Sequence, residues 1–388
     1  MSRGPVPGSP RILAGLTLAC AGLAAGCGAQ TATVAPIRPP AMTAPLSTSL
    51  TTAQGTWAIA VMGGPAASHD NFWQLFVRRA NTGRWSLVTP EGVADNGGLV
   101  AAGGNGSLVV GFRPSQELAY SPLATSTNAG LNWTPGLLDA ALADTPGAIA
   151  VGPSGRTLAL LQDGTIEAAP TADDAAAGHW VPLTTLKALA ASAPGRSCGL
   201  KGMTAVSFGP DQNPIAAGSC VRPGAAGVFT DAGGTWRSAG LTLPAGGAGM
   251  GTVRVLGLTA IPGGNAALLA TGHSLLAAWW DGTRWTVSGP VTTGGVRALG
   301  FGPGGSAWLL GGERAETIAG AGSTWRALPP VPAGTSVLAP PQTLAPGTGG
   351  SYDALAVAGS RLTVWRLARG AWGKVQQITV PVQYGSSG

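Results

Sequence analysis

The chain has little of what most enzymes and nucleic-acid-binding proteins are built from. Of its 388 residues only 10% are charged, three are His, three are Tyr, five are Met and four are Cys. Glu occurs five times and Lys three times. Most Arg residues are spread singly, so no concentrated basic stripe exists to grip a phosphate backbone, and nucleic acid is excluded as a partner. His69, His179 and His273 lie far apart without Cys or His at metal-ligand spacing, so no metal and no cofactor is expected. The Gly-x-Ser-x-Gly, Ser-x-x-Lys and His-Glu-x-x-His signatures of common hydrolases are absent. Gly246 to Gly251 lacks the Lys-Ser/Thr ending of a phosphate loop and reads as a turn.

What the chain does have is 63 Gly, 31 Pro and 13 Trp within a composition that is 45% hydrophobic. A chain held unfolded by self-repulsion has high charge and few large apolar groups, which is the opposite pattern. Gly and Pro cost helix interiors about 1 and 3 kcal/mol against Ala, so a mainly helical fold is also excluded. Many short strands joined by tight turns remain.

The first 26 residues read as an export signal. Arg3 and Arg11 form a basic start, and Ile12 to Ala25 is an apolar run too short to span a bilayer permanently. Leu23-Ala-Ala-Gly-Cys27 resembles the lipobox of bacterial lipoproteins, with Ala24 where that family usually has Leu. The resemblance implies lipidation of Cys27, with ordinary cleavage or an uncleaved anchor as competing readings. Residues 27–54 are rich in Ala, Thr and Pro and read as a flexible tether. No later stretch is apolar enough to cross a membrane. Cys198 and Cys220 are the cysteines of the remaining domain, residues 55–388. An exported chain meets oxidising conditions, so these two, flanking a hairpin pattern, are expected to form a disulfide.

The domain repeats. Trp85, Trp133, Trp180, Trp236, Trp285, Trp325 and Trp372 each follow a Gly and open a β-prone run, at spacings of 48, 47, 56, 49, 40 and 47 residues. Units of this length with several short strands are what β-propeller blades look like, since such a sheet buries its faces only against neighbours. The expected fold is all-β, a seven-bladed β-propeller of four-stranded antiparallel blades. Unit one lacks an evident innermost strand. The tail Ile378 to Tyr384, or else Leu46 to Thr52, is expected to supply it.

Two turns resemble the Asp box, or BNR repeat, of sialidases, sortilin-type receptors and related propellers. Ser126, Asn128, Gly130 and Trp133 fit its pattern with Asn for Asp, and Asp231, Gly233, Thr235 and Trp236 fit its second half. The resemblance implies a structural role: a side chain closes the turn on backbone amides, Gly takes a positive φ and Trp packs between blades. Sialidases of this fold use an arginine triad, a Tyr nucleophile and acidic partners. Arg113-Pro114 resembles the start of their arginine motif, but Tyr120, Tyr352 and Tyr384 stand in no matching context, so no catalytic set is carried over.

The scarce charges collect in second-to-third strand connections: His69, Asp70, Arg113, Glu117, Arg222, His273, Glu313, Arg314 and Arg361. Loops on a rigid scaffold are where binding residues gather, and the bland alternative is that these are merely longer solvated loops. The reading favoured is an exported, membrane-anchored propeller lipoprotein on the outer face of a bacterial membrane. It binds a ligand, an envelope protein or a glycan; a sialidase-like glycoside hydrolase and an assembly scaffold for an envelope complex are the alternatives.

Overall fold

A computed structural model describes residues 47–63, 71–90, 98–112, 119–243, 251–272, 274–292, 295–341 and 351–380. The export signal, Cys27, Leu46 and residues 381–388 lie outside them. Strand follows strand in antiparallel sets of four. The first is β1 (Ser47–Thr52), β2 (Gly55–Gly63), β3 (Asn71–Arg79) and β4 (Trp85–Leu87); the second is β5 (Gly98–Ala102), β6 (Leu108–Phe112), β7 (Ser121–Ser126) and β8 (Thr134–Leu138). The third is β9 (Ile149–Val151), β10 (Thr157–Leu160), β11 (Thr165–Ala169) and β12 (Val181–Thr185). The fourth is β13 (Leu200–Phe208), β14 (Pro214–Cys220), β15 (Ala225–Asp231) and β16 (Trp236–Ser238), with β17 (Leu241–Thr242) added beside β15. The fifth is β18 (Val253–Ile261), β19 (Gly264–Thr271), β20 (Ser274–Trp280) and β21 (Trp285–Val287), with β22 (Val291–Thr292) beside β20. The sixth is β23 (Ala298–Phe301), β24 (Ala307–Gly311), β25 (Arg314–Ile318) and β26 (Arg326–Ala327); the last is β27 (Thr335–Ala339), β28 (Asp353–Ala358), β29 (Arg361–Ala368) and β30 (Ala371–Thr379).

Second strands are continuous apolar runs because both of their faces are covered. β6, β10, β14 and β19 are buried at every position. The core is accordingly a series of clusters between consecutive sets, such as Trp57, Ile59 and Leu75 of the first against Leu108 and Val110 of the second. The recurrent Trp residues join sets by hydrogen bonds as well as by packing. The indole N–H of Trp285 donates to the Ala239 carbonyl, that of Trp325 to Ser288, that of Trp372 to the Pro329 carbonyl and that of Trp85 to Asp353. Each of these acceptors belongs to the preceding set, with the last set preceding the first.

Among the described residues three short α-helices interrupt the pattern. α1 (Ala172–Ala176) sits between β11 and β12, while α2 (Leu186–Ala191) and α3 (Ala193–Cys198) sit between β12 and β13. The latter pair accounts for the longest Trp spacing. The Cys198–Cys220 disulfide is formed, tying the end of α3 to the end of β14 across a sequence separation of 22.

Closure uses the upstream segment. β1 pairs antiparallel with β2 and parallel with β23, with Ser47 opposite Ala298 and Ser49 opposite Gly300. The described part of the tail, through Val380, instead extends β30 along β29. The fold thus takes in residues that the composition assigned to the tether. A Ser/Thr-rich strand carries no hydrophobic signature; its ladder bonds on both edges hold it.

Gly300 makes the joint possible. A Cβ there would stand 2.7 Å from the Ser49 carbonyl oxygen and 2.8 Å from the Trp308 ring. The third strand of the sixth set begins at Arg314, leaving a tight turn at Gly312 and Glu313. Buried Ala315 and Ile318 set that register.

Candidate functional site

The innermost strands enclose a cavity of about 350 Å³, within the range of small-molecule sites. Its wall comes from β1, β5, β9, β13, β18 and β23; no residue of β27 contributes, because the β1–β23 pair stands in front of it. The Ser49 hydroxyl donates to the Leu338 carbonyl of β27 across that joint at 2.6 Å. The rim at one end is made by first-to-second strand turns, including Gly104, Pro153, Pro262 and Pro303. Every residue lining the cavity is uncharged, while Arg156 and Asp211 stand in the first-to-second turns of the third and fourth sets without lining it. Its polar side chains are hydroxyls: Thr48, Ser49, Thr51 and Thr52 on β1, Ser207 on β13 and Thr259 on β18. No acid, base or ionisable nucleophile among the described residues reaches the cavity, so the wall can hydrogen-bond and pack but has no group to move a proton near neutral pH.

Of the ionisable residues singled out in second-to-third connections, Arg222 lies in the turn between β14 and β15, Glu313 in the turn before β25, and Arg314 and Arg361 open β25 and β29. None of these four lines the cavity. His69, Asp70, Arg113, Glu117 and His273 fall outside the described residues. Sequence reasoning therefore overlooked the cavity itself. The available signal was the Ser and Thr content of the first strands, which is weak because strands accept those residues anywhere.

The two motif turns have defined local bonding. The Ser126 hydroxyl donates to the Asn128 side-chain oxygen and accepts from the Gly130 amide at 2.9 Å, and Asn128 in turn accepts from the Asn132 amide. Gly130 has a φ of 71°, and the Trp133 ring lies against it. The Asp231 carboxylate accepts from the Gly234 amide, Gly233 has a φ of 66°, and Trp236 pairs with Asp231 across the turn leading from Thr235. Asp281 does the same in the fifth set, accepting from the Thr283 hydroxyl and from the Thr283 and Arg284 amides; these bonds hold its carboxyl down at about 2. All three turns lie at third-to-fourth connections, on the outer part of the sheets.

A second hollow of about 380 Å³ lies at the outer edge, lined by Leu137, Asp139, Glu167, Gly178 and Trp180. Partial burial, then the nearby Asp163 and Asp139, raises the Glu167 carboxyl above its ordinary value.

No protein-family model matches this chain, and no curated protein matches it in sequence. Solved structures do match in shape. A provisionally assigned 6-phosphogluconolactonase from Bacteroides uniformis is 15% identical with a TM-score of 0.52, over 85% of this chain and 98% of that one. The periplasmic gluconolactonase of Pseudomonas aeruginosa is 14% identical with a TM-score of 0.51, over 84% of this chain and 96% of that one. The GH74 xyloglucanase of Xanthomonas campestris is 14% identical with a TM-score of 0.53, over 84% of this chain and 52% of that one. Identity this low carries fold and not activity. With its successive four-stranded antiparallel sheets, this chain has a β-propeller fold.

Proposed function

We propose that this chain is an exported, lipid-anchored, seven-bladed β-propeller that acts as a binding module at the bacterial envelope. The observation that carries the binding role is the cavity wall, which offers hydroxyls and main-chain groups but no ionisable side chain. The alternatives of sugar-lactone or glycoside hydrolysis require a proton-transfer group, and that wall supplies none. Seven sets of four strands support the blade number, the last being set behind the β1–β23 joint. The turns of Ser126 to Trp133 and Asp231 to Trp236 resemble Asp boxes, and their bonding fits a structural role. Arg222, Arg314 and Arg361, with Arg113, are read as a surface for an envelope protein or glycan.

Fractionation and turnover assays test this reading together. Full-length protein is expected in the membrane fraction, and Cys27→Ser is expected to release it. The purified protein is expected to leave gluconolactone, 6-phosphogluconolactone and a fluorogenic sialoside unhydrolysed. Turnover of any of these at enzymatic rates overturns the binding role, and membrane association indifferent to Cys27→Ser overturns the anchor.

A further inference from the structure

We infer that the central cavity takes an uncharged, polyhydroxylated small molecule of about monosaccharide size. The inference rests on reading the chain as a binding module, and the chemistry of the wall narrows the ligand class. A charged ligand would lose its hydration inside a cavity whose lining contains no counter-charge, which is strongly unfavourable. A wholly apolar ligand would leave the wall's own polar groups unsatisfied, and these are numerous. β5, β9, β13 and β18 each end their sheets, so each has one edge without a full ladder partner.

Two hydroxyls single out where such a ligand is held. Four of the six on the wall are already engaged: Thr48 donates to the Leu299 carbonyl, Ser49 to the Leu338 carbonyl and Thr52 to Gln54, while Thr51 pairs with Thr56. The hydroxyls of Ser207 and Thr259 have no hydrogen-bond partner among the described residues, although the main chains of both pair within their sheets. Ser207 retains only 5% of its exposure yet its residue lines the cavity. Neither hydroxyl is fully enclosed, so each stays open to bond with an occupant of the cavity. Phe208 and Phe301 supply apolar surface beside these groups. Their rings lie against Gly152 and Gly257, where a Cβ would stand 3.3 and 3.1 Å away respectively. Apolar walls with a few placed polar groups are how small neutral ligands are oriented.

The test uses titration calorimetry on full-length protein in detergent, with glucose and myo-inositol as neutral probes and glucuronate and glucosamine as charged ones of similar size. Saturable binding of a neutral probe is expected, at least tenfold tighter than either charged probe. Ser207→Ala and Thr259→Val are each expected to weaken it about fivefold. Ala260→Arg, which adds a cation at an exposed lining position, is expected to abolish it, while Lys374→Ala on the outer strand leaves it unchanged. Absence of saturable neutral binding, equal binding of charged probes, or indifference to the Ser207 and Thr259 changes overturns the ligand class. Such a failure leaves the binding role standing, whereas hydrolysis of a sugar lactone by the same sample would overturn the role itself.

Discussion

The Arg78 guanidinium meets the Asp353 carboxylate at 2.5 Å where neither side chain is open to solvent. Arg78 stands on β3 of the first set and Asp353 on β28 of the last, so the ion pair lies across the seam where the chain closes on itself. The carboxylate also accepts from the Trp85 indole at 2.9 Å and from Arg366 through two nitrogens at 2.7 and 3.0 Å. Arg78 donates further to the Pro340 carbonyl, and its guanidinium lies 5.5 Å from the Trp85 ring centre.

Breaking that network from one side leaves a charge buried alone. Asp353→Ala is expected to cost about 3–5 kcal/mol in denaturant unfolding, because Arg78 keeps its desolvation without its partner. Arg78→Met combined with Asp353→Leu is expected to recover much of the loss. A double variant as unstable as the single one would show that the seam depends on the charges themselves.

Gly300 is expected to tolerate no side chain. Gly300→Ala brings a methyl group against the Ser49 carbonyl and Trp308, so β1 must shift from β23, at about 1–3 kcal/mol in thermal or denaturant unfolding. Gly320→Ala serves as the control, since a Cβ there meets nothing within 4 Å. A shortened chain beginning at Gly55, which lacks β1, is expected to lose cooperative unfolding.

The disulfide is expected to matter more for stability than for any ligand. Replacing Cys198 and Cys220 by Ser opens a loop closed over 22 residues, worth about 3 kcal/mol on the chain-entropy account. Calorimetry on the double variant checks this, and an unchanged unfolding temperature would refute it.

Asp281 carries a pH signature. Hydrogen bonds from Thr283 and the Arg284 amide lower its carboxyl from 3.8 to about 2. A carboxyl depressed in the folded state contributes stability that is present above the unfolded value and lost as pH falls through the folded one. Carbon-detected NMR titration is expected to place its midpoint near 2, and Asp281→Ala is expected to flatten the fall of unfolding temperature below pH 4. A midpoint at the ordinary value would refute the turn bonding.

Architecture was largely legible in the chain. Gly-Trp spacing, Pro-Gly turns and runs such as Ala266 to Ala270 marked sheets that need neighbours, because hydrophobic burial on two faces leaves a sequence trace. The cysteine pairing followed from the same reading. The missing inner strand was legible only as one of two candidates, because Ser47–Thr52 is held by ladder bonds on both edges and not by apolar burial, and so leaves no hydrophobic trace to favour it over the tail. The Arg78–Asp353 seam joins residues 275 positions apart, a pairing that local patterns do not encode. Charge scarcity pointed to the second-to-third connections, yet the cavity emerged elsewhere, from the convergence of six inner strands. Local propensity and periodicity determined that this chain makes strands and stacks them. Only the tertiary structure decided which segment closes the ring and what lines its centre, because both depend on which distant backbones approach closely enough to pair.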